Sequence, residues 1–284
     1  MLDLRPWIEA GRPERAMLAP LVVAVGSSYA HFDEQPGPGL PAHLVVSLAA
    51  FAAGVGVNFV DHGWDRIDAP EEARDSLIAG AAALAVAGLL GLALVPLSGS
   101  AAVGYGLLAV LIGVLRRAPV AGFDGLGWGV GDLATAVALG PVAALVGFAS
   151  QAGTGSMGAI LAGIAPGLVA ASALFARHFI EMDVDARFTR VTPLAALGEQ
   201  RARDVLVALP VVAAAAVVIG SRMGEYGTWS GLAALPLGVA AVLAFRLPPR
   251  AVRDDYEKWE RQALACAAAA LIVQIVALRL ASPD

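Results

Sequence analysis

The sequence predicts an all-α, polytopic membrane protein: a bundle of helices that crosses the bilayer repeatedly around a central lipid-accessible groove. Three observations carry this. Hydrophobic residues make up 58% of the 284 and the mean hydropathy is +0.72. Charged residues are 15%, where a soluble domain carries roughly a quarter. Nine apolar runs approach the ~20 residues needed to cross ~30 Å of hydrocarbon. Such spans must be helices, because unpaired backbone groups are costly in lipid. The short alternating strands of a membrane barrel are absent from the pattern.

The runs cover about 16–32, 41–62, 76–97, 99–115, 128–150, 154–178, 202–220, 228–247 and 261–281. The third and fourth are separated only by the tight PLSGS turn. The leading MLDLRPWIEAGRPER is mixed-charge and lacks a small-residue cleavage site, so it is not expected to be a cleaved signal peptide. Lys and Arg then set the orientation. Seventeen fall in the N-terminal segment and the loops after spans two, four, six and eight; only Arg222 and Arg279 fall on the other side. The N-terminus is therefore expected in the cytoplasm, in a multi-pass protein of the cell membrane. Twenty of the 24 acids share the Arg-rich side. For Glu257 and Glu260 the expectation is a solvated charge. The net charge of −5 gives no footing for nucleic acid. The lone Cys266 allows no intrachain disulfide.

The second run ends in GVNFVDHGWDRIDAP. Continued as a helix to Asp68, Asn58, Asp61, Asp65 and Asp68 fall within about 80° of arc at about 100° per residue. Pro70 marks the break. Aligned carboxylates repel one another and call for a positive partner. Oxygen ligands on one stripe suit Mg²⁺, which takes one or two carboxylates, waters and substrate phosphates. The stripe reads as a metal–diphosphate site at the cytoplasmic mouth. A second cluster ends the sixth run: His178, Glu181 and Asp185 share a face at i, i+3 and i+7, whereas Asp183 points elsewhere. Arg187 and Arg190 follow. They either meet phosphate oxygens with guanidinium forks or simply obey the positive-inside rule; both readings stand.

Spans two and six run in the same direction, so both clusters share a membrane side. That fits one domain, residues 1–284, with a parallel repeat of four helices, about 1–120 and 121–245, plus a ninth helix. Two facing carboxylate stripes can hold two metal ions and one diphosphate, beside an apolar groove for a long tail. This is a chemistry of lipid diphosphates.

On these residues the sequence resembles the UbiA superfamily of intramembrane prenyltransferases, nine-helix enzymes that use Mg²⁺ and two Asp-rich motifs. VNFVDHGWDRIDAP resembles the first motif, NDxxDxxxD, with Asp61 and Asp65 as its second and third acids. Asn58 stands at the first Asp position and Val57 at the Asn. EMDVD resembles the second motif, DxxxD, with Glu181 for the first Asp and Asp185 retained. The nearest branch is the menaquinone-pathway one, which prenylates 1,4-dihydroxy-2-naphthoate. WIEAGRPERAMLAPLVVAVG resembles its opening stretch. GLGWGVGDLATAVALGPVAALVG resembles its GLG–acid–GP helix, with Asp132 at the acid. TRVTPLAALGEQRAR resembles its GKRTLAVxLGxxxAR segment, with Thr189 for Gly, Arg190 at a basic position and Pro193 inserted.

The resemblance implies Mg²⁺-dependent transfer of an isoprenyl group from a polyprenyl diphosphate to an aromatic acceptor. It implies that Asn58, Asp61, Asp65, Glu181 and Asp185 hold the metal, with Asp68, Arg66 and Arg190 at the diphosphate. Asp132 either orients or deprotonates the acceptor, or is a helix N-terminal carboxylate favoured by the dipole. His62 and His178 are expected to be hydrogen-bonded structural residues before ligands, and Trp64 an interfacial anchor. Three other readings remain open: a family member with another acceptor or a cyclase activity, an ion-coupled transporter, and a binding-only protein that has lost catalysis, which the aligned acids at both sites disfavour. The transporter predicts acids near the bilayer midplane, whereas these gather at one surface.

Overall fold

A computed structural model describes residues 5–33, 37–66, 69–116, 118, 122–123, 129–180, 193–223, 228–248 and 251–281. Among them there are helices and no strand. Two short helices, α1 (Arg5–Gly11) and α2 (Pro13–Ala16), lead into α3 (Leu18–Phe32). Next come α4 (Leu40–Asp65), α5 (Pro70–Ser98) and α6 (Ala101–Arg116). One continuous rod follows: α7 (Val130–Val137), a π turn (Ala138–Val142) and α8 (Ala143–Ala152). α9 (Met157–Phe175) runs into the short α10 (Arg177–Ile180). α11 (Pro193–Leu197) precedes α12 (Glu199–Arg222). A 3-10 segment (Thr228–Ala233), α13 (Ala234–Phe245) and α14 (Arg253–Ala281) complete the chain.

Each apolar run falls on one of these helical segments. Among the described residues, six stretches are long and apolar enough to cross a membrane: Leu40–Asp65, Pro70–Ser98, Val130–Ala152, Met157–Ile180, Glu199–Arg222 and Arg253–Ala281. Ala101–Arg116 and Trp229–Phe245 are apolar but shorter.

Two boundaries differ from expectation. α4 stops at Asp65, because Arg66 leaves helical geometry at φ −107 and ψ 39. The expected helical continuation to Asp68 is therefore not made, and Asp68 itself lies outside the described residues. The chain restarts at Pro70, whose fixed φ suits the first turn of α5. The last helix begins at Arg253 rather than 261, since its first turns bury Tyr256 and Trp259.

Successive long helices reverse direction. The C-terminal ends of α4, α6 and α10 and the N-terminal ends of α5, α7 and α14 therefore gather at one end of the bundle. α3, α8 and α9 form the interior, and α14 packs on α3 and α9. Small residues set this packing, as in membrane bundles generally. Gly26 of α3 meets the Ala144 backbone, and Gly147 of α8 meets the Val23 carbonyl; neither has room for a Cβ. Pro141 has no N–H to donate, and the rod widens to a π turn there. Beside it, a Cβ on Gly140 would lie 2.6 Å from the Gly163 carbonyl oxygen and the Gly167 Cα. Hydroxyls fasten the other end of the bundle: Ser27 Oγ donates to the Gly147 carbonyl at 3.1 Å, and Ser98 Oγ to the Ser150 carbonyl at 2.6 Å.

Gly147→Ala is expected to lower stability in detergent by about 1–3 kcal/mol, because the new methyl drives backbones apart. Gly104→Ala faces open space and should leave the melting temperature unchanged or raised. Thermal unfolding of the two purified variants checks the pair.

Candidate functional site

An elongated cavity of about 330 Å³ runs between α3, α4, α5, α6 and the α7–α8 rod. Its walls are small and apolar: Ala49, Ala53 and Gly54 of α4, Ala87, Gly88 and Gly91 of α5, and Gly106 of α6 all line it. Side chains this short leave the space open. On α4 the lining extends from Val46 to Asp61, about 22 Å at 1.5 Å per residue. The polar lining is gathered at the end where α4 finishes: Arg15, Asn58, Asp61, Arg116, Thr135 and Arg177.

Each of the three guanidinium groups stands beside a carboxylate from a different helix. Arg177 Nη1 of α10 lies 4.0 Å from Asp61 Oδ2 of α4. Arg116 Nη2 of α6 lies 3.9 Å from Asp132 Oδ1 of α7. Arg15 Nη2 of α2 lies 2.6 and 2.7 Å from the two carboxylate oxygens of Glu260 on α14. Arg116, Arg177, Asp61 and Glu260 are all less than 7% exposed. Charges this deep require partners, and the pairs supply them across three helix junctions.

Asp132 sits in the first turn of α7, where the dipole favours an acid. It is also hydrogen-bonded: His178 Nε2 lies 3.0 and 2.9 Å from its two oxygens. His178 is 4% exposed, with its ring edge-on to Phe175 at 5.4 Å. Asn58 ties the N-terminal segment down. Its Nδ2 donates to the Gly11 carbonyl at 3.0 Å and reaches the Arg12 carbonyl at 3.4 Å. Arg12 adopts a left-handed conformation, φ 42 and ψ 60, as the cap of α2.

The structure thus brings Asn58, Asp61 and Asp132 to the charged end of the cavity. Asp65 lies one turn beyond Asp61 on the same face of α4 and is half-buried. Arg66 stands apart: it is exposed and lies 3.6 Å from Glu72. His62 and Trp64 are half-buried near the end of α4. Asp68, Glu181, Asp185 and Arg190 lie outside the described residues, as do Asp183 and Arg187. No group of three or more His, Cys, Asp or Glu placed to hold a metal occurs among the described residues.

Four residues at this end escaped the sequence reading. Arg15, Arg116 and Arg177 served there only as orientation signals. Glu260 was expected in solvent; it is buried, whereas Glu257 is half-exposed and bonded to Arg253 at 2.8 Å. A signal existed for Glu260. Tyr256, Glu260, Ala263 and Ala267 recur at i, i+4, i+7 and i+11, the spacing of a buried stripe.

No protein-family description and no curated protein matches the sequence. Solved structures do. A UbiA homologue from Archaeoglobus fulgidus bound to GPP and Mg²⁺ superposes with a TM-score of 0.65 at 14% identity, covering 97% of this chain and 99% of that one. A UbiA homologue from Aeropyrum pernix K1, in its apo form, gives 0.65 at 18% identity, covering 92% and 98%. A digeranylgeranylglyceryl phosphate synthase gives 0.62 at 15% identity, covering 98% and 99%. The chain has the UbiA-type fold.

His178→Ala removes the hydrogen-bond partner of both Asp132 oxygens. It is expected to cost about 1.5–3 kcal/mol, the range for a hydrogen bond to a charged group. His178→Gln, which keeps a donor, should recover part of that loss in the same thermal melt.

Proposed function

We propose that this protein is a membrane prenyltransferase that moves an isoprenyl group from a polyprenyl diphosphate to an aromatic acceptor, using Mg²⁺. The observation that carries the reading is the cavity itself: a long apolar channel whose polar end carries the Asp61 carboxylate and three guanidinium groups. A molecule that fills it needs a hydrocarbon tail and a highly charged head.

The donor set suits the metal. Asp61 and Asp65 lie on one face of α4 beside the Asn58 side chain, whose nitrogen is engaged with the Gly11 carbonyl. Two carboxylates plus substrate phosphates are the usual company of Mg²⁺. Asp61, Asp65 and Asn58 would hold it, together with Glu181 and Asp185 by resemblance, and bound Mg²⁺ neutralises charge on the departing diphosphate.

The protein's own groups account for the rest. Arg177 and Arg116 present guanidinium groups to the phosphate oxygens, oriented by Asp61 and Asp132. By resemblance Arg190 and Asp68 also border the diphosphate; Arg66, exposed beside Glu72, is placed less favourably. The small-residue walls wrap the tail and exclude water, so that an allylic cation is not hydrolysed. The allylic C–O bond breaks with its electron pair leaving on the diphosphate. A ring carbon of the acceptor then bonds to the allylic carbon and gives up a proton. Asp132, held by His178, orients the acceptor or takes that proton.

The acceptor we infer is 1,4-dihydroxy-2-naphthoate, which places the reaction in menaquinone biosynthesis. This rests on the resemblance of the 7–26, 125–147 and 189–203 stretches to that branch. We further infer nine spans in the cell membrane, with the N-terminus cytoplasmic and two four-helix halves plus α14. The distribution of Lys and Arg and the reversal of successive helices support this arrangement.

Purified protein in detergent, given radiolabelled prenyl diphosphate and Mg²⁺, should prenylate 1,4-dihydroxy-2-naphthoate and not 4-hydroxybenzoate. EDTA should abolish transfer. Asp61→Ala and Asp185→Ala should each lower kcat by roughly 100-fold or more, while Arg66→Ala changes it little. Labelled product without any acceptor would replace this reading with a cyclase or pyrophosphatase.

A further inference from the structure

Of the three guanidinium groups on the cavity wall, Arg15 is the one that comes from the N-terminal lead-in, which a single helical residue, Met17, separates from α3. It belongs to α2, a four-residue helix. An arginine that nothing fixed would lose much conformational freedom on binding. Two ties hold it. Asn58 bonds the Gly11 and Arg12 carbonyls just before α2, and Glu260 receives the Arg15 side chain itself. The Glu260 contact is the shortest of the three carboxylate–guanidinium pairs at this end.

Glu260 projects from the buried stripe of α14 beside Trp259 and is 5% exposed. It does not line the cavity, whereas Arg15 does. A buried ion pair contributes little net stability compared with well-packed apolar residues. Its distinctive effect here is geometric. The contact engages the Nη2 end of a group with five donors in a fixed fork. The plane and position of the guanidinium are thereby set against the cavity.

We propose that Glu260 is a positioning residue: it holds Arg15 at the cavity wall as a receiver for a substrate oxyanion. This rests on reading the site as one for prenyl transfer. The oxyanion is either the diphosphate of the donor or the carboxylate of the acceptor, and the two substrates, varied separately, tell them apart.

The test uses full-length protein in detergent with Mg²⁺, a prenyl diphosphate and 1,4-dihydroxy-2-naphthoate. KM and kcat are measured for each substrate beside the melting temperature. Glu260→Gln should raise KM for one of the two roughly tenfold, the scale of a lost charge-assisted contact, with kcat within about threefold. The double variant Arg15→Glu/Glu260→Arg restores an ion pair but places a carboxylate at the cavity. It should recover the melting temperature and not the KM. If the exchange recovers both, or if neither KM moves in either variant, Glu260 is a structural tie and the proposal is overturned. Should Glu260→Gln fail to fold, the exchanged pair decides alone. A wild-type protein that turns over no prenyl diphosphate overturns the reading of the site as well, which separates that failure from this one.

Discussion

Everything at the charged end of this bundle depends on one constraint: charges buried among helices must be matched across them. Asp61 with Arg177, Asp132 with Arg116 and Glu260 with Arg15 each join separate segments of chain. Removing one member would leave the other with one counter-charge fewer in a poorly solvated place, which is costly. The pairs therefore fix which helix ends meet. They also hold three cations and a carboxylate on the wall of one cavity without leaving the resting site strongly charged.

The rest of the cavity follows from the opposite economy of side chains. α4, α5 and α6 meet it with alanine and glycine, so the helices stay close while a channel remains between them. Elsewhere the same residue types close gaps: Gly26 against Ala144 and Gly140 against Gly163 bring backbones into contact. Small residues thus do two things in one fold. Where backbones meet they lock the interior helices, and where backbones stay apart they make room for a tail.

The helices were legible because hydrophobicity over 20 residues is a long signal, and each apolar run falls on a helical segment. Half of the charged end was legible too. Asn58, Asp61 and Asp65 stand out because polar residues at i, i+3 and i+7 share a face. Arg116 and Arg177 did not stand out, because a guanidinium at a helix end satisfies the positive-inside rule whether it faces water or the cavity. Glu260 was misjudged for a related reason: DDYEKWERQ reads as a solvated loop until the helix is extended back to Arg253, and then Glu260 falls on the buried stripe. The end of α4 was overextended by assuming that a helical face persists, whereas Arg66 leaves helical geometry before Pro70. What the sequence hides is which of many similar charges turn inward, since that depends on partners far along the chain.

The most direct test of the account is where a prenyl tail lies. A prenyl diphosphate carrying a photoreactive group at the far end of its tail would be bound with Mg²⁺, irradiated, and the labelled peptides mapped by mass spectrometry. The account predicts labelling on the apolar walls, at Val46, Leu94 or Ala102, competed away by unlabelled prenyl diphosphate. Labelling spread over the lipid-facing helices, unaffected by competitor, would contradict it.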